Sequence, residues 1–121
     1  MPWQVNVHDA FKQELDSWES VQRVELAALV EMLQSDGPVL GRPWVDTLKG
    51  SRYSNMKELR FSCLGVPWRV AFAFDPLRQA ILLVGGAKSG MSQRLFYRRL
   101  VRTADERYSQ HLESLQHRRR P

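Results

Sequence analysis

The sequence predicts an α+β fold in the element order β-α-α-β-β-β-α, in which a helical hairpin and a C-terminal helix pack against an antiparallel sheet. Two observations predict it. The spacing of apolar residues changes from strand-like to helix-like near Asp9, and three strand-like runs joined by short turns fill the middle of the chain. Because 121 residues with 43% hydrophobic content supply one core, we expect residues 1–121 to form a single domain.

The first third of the chain carries one strand signal and two helix signals. Residues 3–7 alternate apolar and polar side chains, and Asp9 then offers an N-cap for a helix with apolar residues at Phe11, Leu15 and Trp18. A second helix is expected to end at residues 36–38, and its apolar stripe comprises Leu26, Leu29, Val30 and Leu33. Residues 37–52 are rich in glycine and proline, which predicts an irregular connection.

The rest of the chain predicts an antiparallel meander followed by a long helix. Strand signals cover residues 53–63, 67–75 and 78–85, and the turns between them are short. From about Ser92 the apolar spacing becomes helical again, at Tyr97, Leu100, Val101, Ala104, Tyr108, Leu112 and Leu115. We expect all the helices to pack on one face of the sheet.

Charge is distributed unevenly along the chain. The net charge is −5 for residues 1–36, +4 for residues 37–87 and +6 for residues 88–121. One side of the domain is therefore expected to be acidic and the other strongly basic, which is typical of proteins that bind phosphate groups. The basic tail at about residues 117–121 is equally well interpreted as a solvated end.

Several function classes are disfavoured by what the sequence lacks. No apolar run approaches the ~20 residues that a membrane span needs, and because the first residues are not a basic and apolar segment, we expect no secretory leader. Cys63 is the only cysteine, and the three histidines are scattered, so we expect a cytoplasmic protein with no disulfide, no metal and no cofactor. The tryptophans, Trp3, Trp18, Trp44 and Trp68, are expected to be core or interface anchors.

The parity of the middle strands brings charged residues together. If the apolar side chains face the helices, then Glu58, Arg60 and Arg69 share the opposite, open face of the sheet. The small residues Ala71 and Ala73 on that face would leave a depression beside them. Spacing alone leaves an alternative open, because an ordinary solvated sheet face with a surface ion pair has the same pattern.

Three strand motifs resemble a known family. They are Asn-Met-Lys-Glu-Leu-Arg at residues 55–60, Pro-Trp-Arg-Val-Ala-Phe at 67–72 and Leu-Val-Gly-Gly-Ala-Lys at 83–88. Their order and spacing resemble successive strands of the RelE/HigB toxin superfamily, in particular its phage-derived HigB-like branch. The resemblance covers nearly the whole chain, including the first strand and the helical hairpin.

The resemblance implies a toxin that cuts mRNA, usually in the ribosomal A site, through attack of the ribose 2′-hydroxyl on the adjacent phosphate. On that basis Glu58 is the candidate base, Arg60 and Arg69 would hold the phosphate, and Lys88 would neutralise the phosphate or the leaving group. Tyr97 would stack on a base or supply a proton, although it also lies on the apolar stripe of its helix. The other basic residues expected to bind RNA are Lys57, Arg94 and Arg98.

This chain departs from some relatives in the residues that could donate a proton. Met56 stands where some relatives carry a lysine, and no histidine lies between His8 and His111, whereas others carry one beside the C-terminal tyrosine. The resemblance therefore does not identify the general acid.

The family resemblance also implies a partner. Toxins of this branch pair with a helix-turn-helix, HigA-like antitoxin, and operator DNA would be reached only through that antitoxin. Two other functions remain open: a ParE-like toxin that binds DNA gyrase without cutting RNA, and a non-toxic basic nucleic-acid-binding protein. The combination of Glu58, Arg60 and Arg69 on one face favours the nuclease.

Overall fold

A five-stranded mixed sheet with helices on both faces organises the chain in the computed structural model, which describes residues 2–119, with side chains through residue 118. The element order is β-α-α-β-β-β-β-α, with one 3-10 turn at Gly37–Val39. In chain order the elements are β1 (Val5–Val7), α1 (Asp9–Leu15), α2 (Ser20–Asp36), β2 (Val45–Thr47), β3 (Met56–Cys63), β4 (Val66–Phe74), β5 (Ala80–Ala87) and α3 (Gln93–Arg119). The predicted α+β class is confirmed.

The sheet has the spatial order β1-β5-β4-β3-β2. Strands β3, β4 and β5 form the predicted antiparallel meander, whereas β1 pairs with β5 in parallel and makes the sheet mixed. The β3–β4 connection is a two-residue hairpin turn in which Leu64 and Gly65 have φ of 52° and 78°. Positive φ at both central residues matches the twist of the flanking strands.

Two local predictions are wrong. Residues 37–52 are not wholly irregular, because Val45–Thr47 form the edge strand β2 beside β3. A three-residue strand that buries only Val45 is too short to show alternation in the sequence. The N-cap of α1 is His8 and not Asp9: the His8 Nδ1 accepts a hydrogen bond from the backbone N–H of Ala10 at 3.1 Å.

The prediction that all helices pack on one face is also wrong. Helices α1 and α2 cover one face with Phe11, Leu26, Leu29 and Leu33. The other face lies under α3, which contributes Phe96, Leu100, Ala104 and Tyr108. Ala71 and Ala73 are fully buried beneath α3, because their small side chains admit the helix. Strands with both faces apolar are typical of a sheet covered on both sides.

The C-terminal residues extend the last helix. Residues 117–119 of the predicted basic tail continue α3, and residues 120 and 121 lie outside the described residues. Within residues 2–119, no helix combines the length and apolar character needed to cross a membrane.

Candidate active site

The strand register confirms that Glu58, Arg60 and Arg69 share one face of the sheet. Glu58 lies opposite Ala71, and Arg60 lies opposite Arg69 in the β3–β4 pair. This face is not open as predicted, because the beginning of α3 crosses it. Glu58 is only 4% exposed and Arg69 only 7%. The candidate site therefore lies between the sheet and the first turns of α3.

Five of the predicted residues come together at this place, and we call them the Glu58 cluster: Glu58, Arg60, Arg69, Lys88 and Tyr97. The carboxylate at its centre is only partly satisfied. Its Oε2 accepts a hydrogen bond from Arg60 Nη1 at 3.0 Å. Its Oε1 lies 3.8 Å from Arg69 Nε and accepts no hydrogen bond from any described residue. Because an unfilled buried acceptor is costly, a hydroxyl donor that reached this oxygen would be stabilised there.

Arg69 is held in place by hydrogen bonds at two of its nitrogens. Its Nη1 donates to the carbonyl of Trp68 at 2.9 Å, and its Nε donates to the Tyr97 hydroxyl at 3.2 Å. Tyr97 is half-buried, with its ring edge-on to Phe96, so it serves both the core and the cluster. Burial raises the pKa of Tyr97, and the nearby charge of Glu58 raises it further. The phenol therefore stays protonated and is a weak acid.

Lys88 completes the cluster from the end of β5. Its backbone N–H donates to the carbonyl of Pro67 at 2.7 Å, and its Nζ lies 5.3 Å from the centre of the Tyr97 ring. Desolvation lowers the pKa of Lys88, and repulsion from Arg69 and Arg60 lowers it further. Three cations thus surround a single carboxylate, so the cluster attracts an anion.

Gly86 lies beside Arg69 with open space around it, a position that the sequence did not indicate. It lies opposite Arg69 in the β4–β5 pair, and a side chain built there would meet no atom within 4 Å. At the neighbouring Gly85, by contrast, a Cβ would approach Val70 Cγ2 to 2.7 Å. The signal for Gly86 is its register against Arg69, which the sequence alone does not fix.

The remaining predicted RNA-binding residues divide into two groups. Arg94 and Arg98 are exposed on the first turns of α3, next to Tyr97 in the helix. Lys57 lies opposite Phe72 and so points to the α2 face, away from the Glu58 cluster. Across residues 2–119, no group of three or more histidine, cysteine, aspartate or glutamate side chains is arranged to hold a metal ion.

Comparison with known proteins identifies the family. Residues 13–109 match the model of the phage-derived Gp49-like family. The chain is 48% identical over 86 residues to the Mycobacterium tuberculosis protein named "Putative toxin HigB2", a match that covers 70% of this chain and 42% of that one. It is 47% identical over 85 residues to "Putative toxin HigB3" of the same organism, covering 70% and 72% of the two chains. No solved structure matches significantly. The chain therefore belongs to the phage-derived Gp49-like family, the HigB-like branch of the RelE/HigB superfamily that its strand motifs predicted.

Proposed function

We propose that this protein is the toxin of a type II toxin–antitoxin system and that it inhibits translation by cutting mRNA. The names of the two relatives support the toxin class. The observation that carries the nuclease assignment is the Glu58 carboxylate, which has an unfilled buried oxygen and lies among Arg60, Arg69 and Lys88. A base beside a surplus of cations is what attack of a 2′-hydroxyl on a phosphate requires.

The first step proceeds through an exchange of partners at Arg60. In the free protein Arg60 pairs with Glu58, although about 29% of the arginine side chain is exposed. A bound phosphate competes for that guanidinium and releases Glu58 Oε2, while Arg69 holds further phosphate oxygens. Glu58 then takes the proton of the 2′-hydroxyl as the 2′-oxygen bonds to phosphorus and the bond to the 5′-oxygen breaks.

Lys88 is the proposed proton donor to the leaving 5′-oxygen. Its lowered pKa makes its ammonium group a stronger acid than an ordinary lysine. The raised pKa of Tyr97 makes its hydroxyl a weaker acid than an ordinary tyrosine. That hydroxyl also accepts a hydrogen bond from Arg69. We therefore assign Tyr97 the role of positioning Arg69. The products are a 2′,3′-cyclic phosphate and a 5′-hydroxyl end.

The exposed cations on α3 extend this site along an RNA chain. Arg94 and Arg98 precede and follow Tyr97 in the helix and would bind neighbouring phosphates. We propose further that the protein cuts mRNA in the ribosomal A site and that a helix-turn-helix antitoxin neutralises it. Both would occur in the cytoplasm.

Mapping RNA 5′ ends after induction tests the function directly. We expect new 5′ ends inside reading frames when the wild-type chain is induced, and none with Glu58→Gln at equal protein level. Leu77→Ala, which truncates an exposed side chain in the β4–β5 turn far from the cluster, serves as the matched control and should cut like the wild type. Growth arrest with DNA damage and without new 5′ ends would support a gyrase-binding toxin instead. No growth defect would support a non-toxic nucleic-acid-binding protein.

A further inference from the structure

A groove lies beside the Glu58 cluster, at the edge of the sheet where the last residues of β3 extend past the start of β2. Strand β3 has partners in β2 only as far as Leu59, and the last backbone bond joins the Arg60 N–H to the carbonyl of Trp44. Beyond that point α2 and residues 43 and 44 enclose a volume of about 470 Å³. Its lining is mixed: apart from residue 43, the apolar residues are Ala28, Leu29, Met32, Trp44 and Phe61, and the polar ones are Glu25, Arg60, Ser62 and Arg69.

We propose that this groove binds a nucleobase of the RNA whose phosphate the Glu58 cluster holds. The inference rests on the proposed nuclease function and names a subsite for its substrate. Arg60 and Arg69 belong to the groove and to the cluster alike. A phosphate on these arginines therefore places an adjoining base at the mouth of the groove.

The shape and exposure of the groove fit a planar base. Its volume lies within the range of small-ligand sites. Trp44 is 42% exposed, unlike a core anchor, so its indole is available for stacking. Aromatic side chains beside a cationic groove are the usual platform for bases of single-stranded RNA.

Charge favours RNA over an acidic peptide as the occupant. Glu25 on α2 lines the groove and would repel an acidic side chain from a protein partner, whereas a nucleobase is uncharged and meets no such repulsion. The same carboxylate can accept a hydrogen bond from the amino group of a base. We therefore expect the groove to prefer adenine, guanine or cytosine over uracil, which has no amino group.

A binding scan with abasic nucleotides tests the subsite separately from cleavage. The protein carries Glu58→Gln to prevent cutting, and a single abasic position is moved along a short RNA. At one position we expect loss of the base to weaken binding about 10-fold, the effect of losing one stacking contact. Adding Trp44→Ala should remove that penalty, whereas adding Leu77→Ala should preserve it.

The outcomes separate the two proposals. A position-specific penalty that depends on Trp44 supports the subsite even if the wild-type chain proves unable to cut RNA, a result that would overturn only the nuclease assignment. Equal abasic penalties with and without Trp44→Ala would overturn the subsite while leaving cleavage intact. Weaker binding of the cognate antitoxin by Trp44→Ala, without any change in the abasic scan, would identify a protein-docking groove and overturn the proposal. Absence of RNA binding would overturn both.

Discussion

Two carboxylates lie beneath α3 on the same face of the sheet, one near each end of the helix. Glu58 is 4% exposed and Asp75 is 5% exposed. The Oδ2 of Asp75 pairs with His111 Nε2 at 2.7 Å, and its Oδ1 accepts hydrogen bonds from the backbone N–H groups of Leu77 and Gln79 at 2.9 and 3.2 Å. Both oxygens of Asp75 are therefore satisfied, whereas Oε1 of Glu58 accepts no hydrogen bond from the residues that the structure describes.

The difference distinguishes a structural carboxylate from the one that we propose to be the catalytic base. Asp75 accepts hydrogen bonds from the β4–β5 turn and from one histidine of α3, so both of its oxygens stabilise the fold. Glu58 lies among three cations and keeps an acceptor free. Burial and residue type alone do not distinguish the two sites; the number of filled acceptors and the local charge balance do.

The largest expected effect is on cleavage by Glu58→Gln. Loss of a general base should lower the rate by about 10²- to 10⁴-fold. RNA binding should be unchanged or tighter, because the variant removes the only negative charge of the Glu58 cluster. Single-turnover cleavage and equilibrium binding of the same RNA would measure both quantities. Weaker RNA binding in parallel with slower cleavage would argue that Glu58 merely positions the arginines.

Asp75→Ala should show the opposite pattern. The change leaves His111 and the N–H groups of Leu77 and Gln79 without their acceptor, so the free energy of unfolding should fall by about 3 kcal/mol. Cleavage per folded molecule should be unaffected. Urea unfolding, with the rate measured at low temperature where the variant is folded, would test this. Loss of activity in the folded variant would contradict the division between the two carboxylates.

Lys88→Ala should have an intermediate effect on cleavage, about 10- to 100-fold if Lys88 donates the proton. A substrate with sulfur in place of the leaving 5′-oxygen should restore the rate, because a thiolate leaves without being protonated. With the normal substrate the wild-type rate should fall as pH rises through the lowered pKa of Lys88, because the acid form is lost. In Lys88→Arg that fall should move to higher pH. If the sulfur substrate does not restore the rate of Lys88→Ala, Lys88 is not the proton donor and acts only through its charge.

The smallest expected effect concerns the ion pair of Glu14 and Arg107, which joins α1 to α3 at 2.6 Å. Its hydrogen bond to Arg107 lowers the pKa of Glu14 below the ordinary value of 4.5. The pair therefore stabilises the fold above that ordinary value, and the contribution is lost as pH falls through the lowered pKa. Because Glu14 is 44% exposed, Glu14→Gln should cost only about 0.5 kcal/mol at neutral pH and less at a pH low enough to protonate Glu14. Unfolding curves at both pH values would reveal a pH-independent cost if the pairing plays no part.

The spacing of apolar residues predicted most of the helices and strands, and each wrong prediction has a physical cause. Parity brought Glu58, Arg60 and Arg69 to one face because side chains alternate along a strand. The burial of that face by α3 was missed, although the runs 70–74 and 80–84 are apolar on both faces. Gly86 could not be placed opposite Arg69, because that pairing depends on the exact register of β4 and β5. Trp44 could not be placed because it lies in the turn before β2, whose path has no periodic pattern.

The chemistry of the cut ends tests the central claim most directly. Purified wild-type protein would be incubated with programmed ribosomes and, separately, with free mRNA, and the ends of the products would be identified. We predict 2′,3′-cyclic phosphate and 5′-hydroxyl ends, lost in Glu58→Gln and retained in Asp75→Ala. Products with 5′-phosphate ends, or undiminished cutting by Glu58→Gln, would contradict the assignment of Glu58 as the base for 2′-hydroxyl attack.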